Sequence, residues 1–328
     1  MRRRYWQNFC DYHFSVRIIY LTESRESPAL LADDVPQPQP GRGEVLVRVN
    51  AAGLTPTELL WYPTSHNKTG VKRSRPVPGH EFSGVIAALG EDAAGVEAGQ
   101  EVYGMNDWFS EGALAEYCIT QPSSIAPKPS RLTHAEAASV PIGALTAWQG
   151  LYDRAQLRAG ESVLIHGGAG SVGVFAVQLA RRRGANVIAT ASSRNLDFVS
   201  TLGADRVIDY RAGRFEETAP KVDVVFDTVG GDVLRRSWAL LRPGGRMITI
   251  AATGEAAVDE KVKQAFFIVE PNRDQLVEIG GLLDSGELQP VVDAVLPLSE
   301  APAAFAGKVG PRQGRGKLVV EPIPFCSN

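Results

Sequence analysis

The sequence predicts an α/β fold in which a β-rich domain accompanies a doubly wound parallel sheet. Three observations carry this prediction: a Gly- and Pro-rich first region with short strand patterns, alternating strands and helices after about residue 133, and a glycine turn that joins a strand to a helix near residue 168. A chain of 328 residues is long enough for two domains, each with a core of its own.

Short apolar segments separated by turns characterise the first region. Residues 44–49 alternate between apolar and polar side chains, as a half-buried strand does. Residues 82–87 and 112–120 also read as strands between turns. These segments predict a compact, barrel-like β unit that begins near Val16, after a basic and aromatic N-terminal extension.

Strands and helices alternate in the second region. The predicted strands are residues 162–165, 186–191, 206–210, 222–227 and 246–250. The predicted helices are residues 134–138, 144–155, 196–202, 233–241 and 273–283. Repeated strand–helix units with apolar strands indicate a parallel sheet that is covered by helices on both faces.

The glycine turn is the most informative segment. Gly168, Gly170 and Gly173 have the spacing GxGxxG and lie between an apolar strand and an apolar helix pattern. Such a turn directs free backbone N–H groups and the positive end of a helix dipole at a pyrophosphate. Gly168 is expected to allow the turn, Gly170 to admit the phosphate, and Gly173 to let helix and strand pack closely. The predicted contacts of the turn with a dinucleotide are Gly168, Gly170, Ser171, Val172 and Gly173.

Composition and charge exclude several classes of protein. A net charge of −3 gives no electrostatic footprint for nucleic acid. No apolar run reaches about 18 residues, the length that a membrane-spanning helix requires. Cys10, Cys118 and Cys326 lie too far apart for a metal knuckle or a small disulfide framework. Because residues 1–14 also lack the apolar core and cleavage site of a signal peptide, we expect a cytoplasmic protein whose partner is a small molecule.

Six segments together resemble the medium-chain dehydrogenase/reductase superfamily, especially its zinc-independent quinone oxidoreductase and enone reductase branch. They are residues 51–54 (Ala-Ala-Gly-Leu), 78–84 (Pro-Gly-His-Glu-Phe-Ser-Gly), 144–148 (Ala-Leu-Thr-Ala-Trp), the glycine turn, 202–205 (Leu-Gly-Ala-Asp) and 226–230 (Phe-Asp-Thr-Val-Gly). The match runs in order from about residue 16 to 322. It implies a GroES-like catalytic domain that is interrupted by a Rossmann cofactor domain, an active site in the cleft between them, and a homodimer.

The resemblance sets the expected domain boundaries. Residues 1–15 are the N-terminal extension, residues 16–138 the GroES-like domain and residues 139–270 the Rossmann domain that binds NADP. Residues 271–328 are expected to return to the catalytic domain, an expectation that depends on the resemblance alone.

The second strand of the parallel sheet predicts the choice of cofactor. An acidic residue at its end would bind the ribose 2′-OH of NAD, whereas here the strand leads into Ser192, Ser193 and Arg194. These residues can hydrogen-bond a 2′-phosphate, and Tyr210 can reach it as the similar position does in the family. NADP(H) is therefore expected, although Ser192 and Ser193 can also be read as caps of the next helix. The resemblance adds four cofactor contacts: Thr146, Val229, Ala251 and Phe267.

The metal ligands of zinc-dependent relatives are incomplete in this sequence. Thr55 stands where the family's first zinc-binding cysteine would be, and residues 143–148 contain no second cysteine. Residues 91–112, which would hold the structural zinc, are also free of cysteine. His80 and Glu81 alone do not complete a tetrahedral site, so we expect no metal and interpret them as a hydrogen-bonded polar pair.

Catalysis without zinc requires hydrogen-bond donors beside the nicotinamide. Thr55, Thr57 and Tyr62 lie on the segment that similar enzymes place there, and Trp61 can stack on a flat substrate. Each also has an ordinary interpretation: Thr57 as a helix cap, and the two aromatic residues as packing. His166, next to the glycine turn, is interpreted as a packed or capping residue.

The predicted function is NADPH-dependent reduction of quinones or α,β-unsaturated carbonyl compounds by hydride transfer without zinc. Three alternatives remain open from the sequence: an enoyl-thioester reductase, a zinc-type alcohol dehydrogenase, and an NADPH-binding protein without catalytic activity.

Overall fold

A computed structural model describes residues 15–22, 29–251, 259–310 and 312–322. The predicted N-terminal extension lies outside these residues except for Ser15, which is the first residue of a strand. Cys10 and Cys326 also lie outside them.

The strands of the described residues form three sheets. They are β1 (Ser15–Leu21), β2 (Leu30–Pro36), β3 (Val45–Leu54), β4 (Glu81–Leu89), β5 (Glu101–Met105), β6 (Tyr117–Thr120), β7 (Ile125–Pro127), β8 (Ser162–Ile165), β9 (Asn186–Ala191), β10 (Arg206–Asp209), β11 (Val222–Asp227), β12 (Leu241–Thr249), β13 (Val292–Pro297) and β14 (Lys317–Glu321). The α-helices are α1 (Tyr62–Ser65), α2 (His134–Ala138), α3 (Pro141–Trp148), α4 (Gly173–Arg182), α5 (Leu196–Thr201), α6 (Phe215–Thr218), α7 (Gly231–Ser237), α8 (Glu260–Ala265), α9 (Arg273–Ser285) and α10 (Ala301–Phe305).

The first region forms a seven-stranded sheet in the order β13-β14-β3-β4-β5-β7, with β6 also paired to β3. The prediction of a β-rich first region is confirmed. Of the strand expected at residues 112–120, only the last part, β6, is present. Residues 112–114 instead pair with the loop before β4, where the Leu114 N–H donates to Pro78 O. A Cβ on Gly112 would lie 2.2 Å from that same Pro78 oxygen, so the close approach of the two backbones requires glycine.

The second region forms a parallel sheet in the order β10-β9-β8-β11-β12, as the alternating pattern predicts. The helix expected at residues 233–241 is shorter: α7 ends at Ser237 and a 3₁₀ turn follows. Leu241 already pairs with Val222 of β11, which draws the start of β12 forward from the expected residue 246. Similarly, α3 begins at Pro141 and continues beyond Trp148 as a π-helix over Gln149–Arg154.

The chain returns to the first sheet at its C-terminal end. β14 runs antiparallel to β3, with Leu318 opposite Leu54, and parallel to β13. Two further hydrogen bonds join the first region to later ones: the Tyr103 hydroxyl donates to Leu276 O at 2.6 Å and the Trp108 indole to Val269 O at 2.9 Å. The return that the resemblance implied is therefore present in the strand pairing. None of the helices in the described ranges is long and apolar enough to cross a membrane.

Candidate functional site

The glycine turn has the predicted strand–turn–helix geometry, with one difference in the roles of its glycines. The residue with a left-handed backbone is Gly167, at φ +74°, and not Gly168. Gly168 is needed for packing, because a Cβ there would lie 3.1 Å from Ala189 Cβ. Gly173 is needed for close approach: its Cβ would lie 2.1 Å from Gly167 O. The expectation for Gly168 was therefore wrong in mechanism, since the preceding glycine makes the turn.

The N-terminus of α4 forms a cradle suited to an anion. Val172, its N-cap residue, makes no side-chain cap hydrogen bond. Among the described residues, no backbone acceptor pairs with the N–H of Val172 or Gly173. Gly170 is exposed at this edge and carries no side chain that would fill the space. Free amides at the positive end of a helix fit the pyrophosphate of a dinucleotide.

Asp227, at the carboxyl end of β11, holds the neighbouring loop against the turn. Its carboxylate accepts the N–H groups of Val229 and Gly230, each at 3.1 Å, and the Thr249 hydroxyl at 2.9 Å. Burial raises the pKa of Asp227, and these hydrogen bonds oppose the rise. A Cβ on Gly167 would lie 3.5 Å from the Val229 side chain. Val229, a predicted cofactor contact, therefore lies beside the glycine turn.

The remaining predicted contacts near the nicotinamide end differ in exposure. The Ala251 N–H donates to the Thr249 hydroxyl at the carboxyl end of β12, so Ala251 lies at the expected edge of the sheet. The Thr146 hydroxyl is buried and donates to Ile142 O at 2.5 Å within α3. The Phe267 ring is buried under the Arg154 guanidinium, whose centre lies 4.8 Å from the ring centroid. The side chains of Thr146 and Phe267 therefore already contact other groups of the same chain.

The residues that follow β9 and β10, where the 2′-phosphate contacts are predicted, form an edge that we call the adenosine edge. Two charged residues at this edge, Asp209 and Arg315, were not identified from the sequence. The Ser193 hydroxyl donates to Asp209 at 2.5 Å, and this hydrogen bond is the main reason that the pKa of Asp209 lies below its ordinary value. A carboxylate therefore is present at this edge, supplied by β10 and not by the end of β9. Arg315 supplies the opposite charge: its guanidinium donates to the Asn195 side chain at 2.9 Å and to Arg194 O at 3.3 Å.

Ser192 and Arg194 flank Ser193 in the chain, and Tyr210 follows Asp209. Ser192 is buried and Arg194 is exposed, and Ser192 makes no side-chain cap hydrogen bond to the following 3₁₀ turn. Tyr210 lies one residue beyond β10 and is 49% exposed, with the Arg211 guanidinium 5.6 Å from its ring centroid. The predicted 2′-phosphate contacts thus lie next to charged groups of both signs.

The predicted His80–Glu81 polar pair is in fact two separate pairs. Glu81 does not contact His80 but reaches α3, where it accepts the Ile142 N–H at 2.9 Å, and contacts the Lys317 ammonium. His80 instead contacts Glu58, a buried residue that the sequence analysis does not single out. Neighbouring residues point apart along β4 because side chains alternate across a strand.

Both ring nitrogens of His80 are engaged. Nδ1 lies 2.9 Å from Glu58 Oε2, and Nε2 lies 3.1 Å from Ser110 O. The other Glu58 oxygen accepts the Gly79 N–H at 2.8 Å. A carbonyl oxygen can only accept, so Nε2 carries a proton, and neither ring nitrogen has a lone pair free for a metal.

A second buried cluster joins Glu81, Lys317 and Thr55. Lys317 is 3% exposed and Glu81 fully buried. The ammonium contacts a Glu81 oxygen and also donates to the Thr55 hydroxyl at 3.2 Å. Burial raises the pKa of Glu81, while Lys317 and the Ile142 amide oppose the rise. The sequence reasoning missed Lys317; the available signal was a lone lysine at the head of an otherwise apolar strand, residues 317–320.

The Thr55 cluster is joined directly to the glycine turn. Gly316, next to Lys317, donates its N–H to Ala169 O at 2.8 Å and forms a β-bridge with Gly170. On the other side, a Cβ on Gly143 of α3 would lie 2.4 Å from Ser171 O. The nucleotide cradle and the polar cluster are therefore parts of one site.

Thr57 and Tyr62 are not part of this cluster. Thr57 is exposed and is not a helix cap: the N-cap of the 3₁₀ helix at Pro56–Leu60 is Thr55. Tyr62 is 55% exposed and stacks on His66, with ring centroids 4.1 Å apart. Trp61 packs edge-on against the Trp108 ring at 4.7 Å.

The residues present do not fit a catalytic zinc ion. Glu81 and His80 are each committed to other partners, and the position of the first cysteine is Thr55. Within the described parts of the chain, no group of three or more His, Cys, Asp or Glu residues is arranged to hold a metal. Two of the three protein ligands that a catalytic zinc ion needs are thus missing from this site.

Two family models match the chain. Residues 41–130 match an alcohol dehydrogenase GroES-like domain, and residues 202–320 match a zinc-binding dehydrogenase. The second description names zinc binding, whereas Thr55, His80 and Glu81 lie in the segment that matches the first.

Three similar proteins cover most of the chain. A probable zinc-binding oxidoreductase, mitochondrial, of Arthroderma benhamiae is 33% identical over 87% of this chain and 90% of its own length. An NADPH-dependent alkenal/one oxidoreductase, chloroplastic, of Arabidopsis thaliana is 33% identical over 90% of this chain and 76% of its own length. The solved structure of the quinone oxidoreductase from Coxiella burnetii has a TM-score of 0.82 at 31% identity, and the match covers 94% of this chain and 99% of that one. The chain is therefore an oxidoreductase with a nicotinamide cofactor and belongs to the medium-chain dehydrogenase/reductase superfamily, in its quinone and enone reductase branch.

Proposed function

We propose that the chain uses NADPH to reduce α,β-unsaturated carbonyl compounds, with quinones as related acceptors, and that it does so without zinc. The observation that carries this proposal is the position of Thr55. Its hydroxyl belongs to a polar cluster that is joined through Gly316 to the nucleotide turn, and it stands where zinc-dependent relatives have a cysteine. The names of the Arabidopsis and Coxiella proteins support the same acceptor classes.

When bound, the reduced nicotinamide supplies a hydride to the electron-poor carbon of the acceptor. Negative charge then develops on the acceptor oxygen, and in this proposal the Thr55 hydroxyl donates a hydrogen bond to it. Trp61 and Trp108, packed edge to face, form an apolar wall that suits a flat substrate. Thr57 and Tyr62, both exposed, stay as predicted donors.

The preference for NADPH rests on charge at the adenosine edge. Arg194 and Arg315 adjoin one another, and Arg211 lies beside Tyr210. These three guanidinium groups outnumber the carboxylates of Asp209 and Asp293, the second of which accepts the Gly314 N–H at 3.0 Å. Arginine binds phosphate through charge-assisted hydrogen bonds, so a 2′-phosphate is favoured at this edge over a free 2′-hydroxyl.

We propose that the reaction needs no zinc because the residues of the site can supply the required hydrogen bond themselves. His80 already donates from Nε2 and contacts Glu58 through Nδ1, and Glu81 is paired with Lys317. A conjugated carbonyl also needs less polarisation than an isolated ketone, because the negative charge is delocalised as it forms. The hydrogen-bond donor at Thr55 is then sufficient as the electrophile.

One experiment separates this proposal from its alternatives. Purified protein treated with 1,10-phenanthroline is mixed with NADPH, and absorbance at the nicotinamide band is followed with cyclohex-2-enone, a benzoquinone, crotonyl-coenzyme A and cyclohexanone. Rapid oxidation with the enone or the quinone is expected. Reduction of crotonyl-coenzyme A alone identifies a thioester reductase, activity on cyclohexanone that the chelator abolishes identifies a zinc enzyme, and tight NADPH binding without any turnover identifies a non-catalytic protein.

Assembly and location complete the proposal. β12 ends the described parallel sheet, so its outer edge offers backbone groups to a second copy of the chain, and we predict a homodimer. Light scattering coupled to gel filtration should give twice the mass of one chain.

A cytoplasmic location stays a prediction, which imaging of a tagged chain tests against the mitochondrial location that the Arthroderma relative's name states.

A further inference from the structure

Lys317 carries a buried charge, and one of its contacts lies outside the ion pair that neutralises this charge. Only 3% of the residue is exposed, and one Glu81 oxygen balances its charge. The other Glu81 oxygen is occupied by the Ile142 N–H at 2.9 Å. Lysine has three N–H donors and no acceptor, so the ammonium has donors left after pairing with Glu81, and one of them reaches the Thr55 hydroxyl at 3.2 Å.

This contact fixes the direction of the Thr55 hydroxyl. Its oxygen accepts from an ammonium, so its own proton has to point elsewhere. Thr55 is only partly buried, and its side chain makes no cap hydrogen bond to the 3₁₀ helix that it precedes. A hydroxyl that accepts from a cation is also a stronger donor, because hydrogen bonds in a chain polarise one another.

We propose that Lys317 is a positioning residue for the reaction: it orients and polarises the Thr55 hydroxyl, which donates to the carbonyl oxygen of an enone. This inference rests on the proposed function and deepens it by naming the pair of residues that takes the role of the absent metal. Glu81 holds the ammonium in place, and Gly316 ties it to the nucleotide turn.

The reaction balances without a change in the protonation of either residue. The hydride forms a new C–H bond at the β-carbon, the electron pair of the C=C bond moves to the α-carbon–carbonyl bond, and the C=O pair moves onto oxygen. The resulting enolate is stabilised by the Thr55 O–H. A solvent proton then adds to the α-carbon, which gives the saturated ketone, while Thr55 and Lys317 keep their protons.

The test compares Thr55→Val, Thr55→Ser, Lys317→Met and Lys317→Arg, with Lys263→Met as the control. Lys263 forms an exposed ion pair with Glu260 that is remote in sequence from the cluster. Two quantities are measured for each variant. The first is kcat with cyclohex-2-enone and NADPH. The second is the ¹³C shift of carbonyl-labelled cyclohex-2-enone bound together with NADP⁺, a complex that does not turn over and reports the polarisation of the carbonyl directly.

Thr55→Val and Lys317→Met should each lower kcat about 10²-fold, the usual effect of losing one donor to a developing oxyanion. Both should move the bound carbonyl shift toward its value in water, whereas Thr55→Ser and Lys317→Arg should restore most of it. Because Lys317 acts through Thr55, the double variant Thr55→Val/Lys317→Met should be no slower than Thr55→Val. NADPH affinity and the Lys263→Met control should stay unchanged.

Two results overturn the inference: an unchanged carbonyl shift in Lys317→Met, or losses that multiply in the double variant. Should Lys317→Met fail to fold because Glu81 is left unpaired, Lys317→Met/Glu81→Gln removes both charges and is measured in its place. Failure of the proposed function looks different. In that case the wild-type protein itself does not reduce cyclohex-2-enone, whatever the variants do.

Discussion

His80 Nδ1 lies 2.9 Å from Glu58 Oε2 in a fully buried contact, and His80 Nε2 donates to Ser110 O. The histidine of the Gly-His-Glu segment is thus a structural link between β4, the 3₁₀ helix at Pro56–Leu60 and the loop after β5. Trp108 lies against its ring at 5.0 Å. At the position where the family resemblance implies a metal ligand, this chain therefore has a histidine that packs against Trp108.

Glu58→Ala should therefore destabilise the protein strongly. Removing the Glu58 carboxylate leaves His80 Nδ1 and the Gly79 N–H buried without their hydrogen-bond partner, at a cost of about 1–3 kcal/mol for each group. Urea denaturation followed by tryptophan fluorescence measures the loss. Glu260→Ala, in an exposed pair, is the matched control and should change the free energy of unfolding by less than about 1 kcal/mol. Equal effects of the two substitutions would show that the His80 contact contributes no special stability.

His166 predicts a loss of stability in mild acid. Burial, aided by the positive charge of Arg236, lowers the pKa of His166 to about 4. Its two ring nitrogens contact the hydroxyls of Thr190 and Ser237. The unfolded chain, with a histidine pKa near 6.5, binds the proton first. Stability is therefore complete above about pH 6.5 and is lost as the pH falls toward 4, by on the order of 3 kcal/mol.

Urea midpoints between pH 7.5 and 4 measure this dependence. His166→Gln, which cannot take up a proton, should be less stable at pH 7 but should show a much flatter pH profile across the same window. A variant whose profile keeps the full slope of the wild type would assign the acid sensitivity to other groups.

The sequence predicts the fold well where a pattern is local. The strands at residues 162–165, 186–191 and 222–227 are found with the predicted bounds, because a buried parallel strand has a continuous apolar run with clear ends. The start of β12 is missed because pairing with β11, a distant partner, extends it through Pro243 and Gly244. Tertiary contacts of this kind leave no periodic signal.

The candidate site likewise has a part that the sequence predicts and a part that it does not. Its nucleotide half is predicted from a contiguous motif, and the resemblance adds Thr55. Glu58, Asp209 and Lys317 are missed, since each acts through a partner that is remote in sequence: Lys317 and Thr55 are 262 residues apart. A buried ion pair cannot be read from either residue alone, because isolated Lys and Glu residues are usually exposed.

The close approach of Gly173 to Gly167 yields a test of the nucleotide cradle. A methyl group at Gly173 would lie 2.1 Å from Gly167 O, a backbone atom that cannot move without opening the turn. Gly173→Ala should cost about 1–3 kcal/mol in stability and weaken NADPH binding at least tenfold, measured by calorimetry. Gly213→Ala, where a Cβ meets nothing within 4 Å, should leave both quantities unchanged. Unaltered NADPH affinity in Gly173→Ala would mean that the dinucleotide does not bind at this turn.

Asp209 offers a way to alter cofactor preference. Its carboxylate is ionised at neutral pH, since the Ser193 hydroxyl keeps its pKa low, and it lies among the residues expected to bind a 2′-phosphate. Asp209→Asn keeps a hydrogen-bond acceptor for Ser193 but removes the negative charge. Loss of one like charge in a water-exposed site is worth about 1 kcal/mol, so the ratio of NADH to NADPH dissociation constants should rise about fivefold.

Fluorescence titration with each dinucleotide measures that ratio. Asp205→Asn is the control, because Asp205 is also exposed but pairs with Arg181, and it should leave the ratio unchanged. Arg315→Ala should act in the opposite direction to Asp209→Asn, since it removes a cation from the same edge. If Asp209→Asn instead weakens NADPH and NADH equally, Asp209 only shapes the loop after β9. The discrimination between the two cofactors would then have to come from the arginines alone.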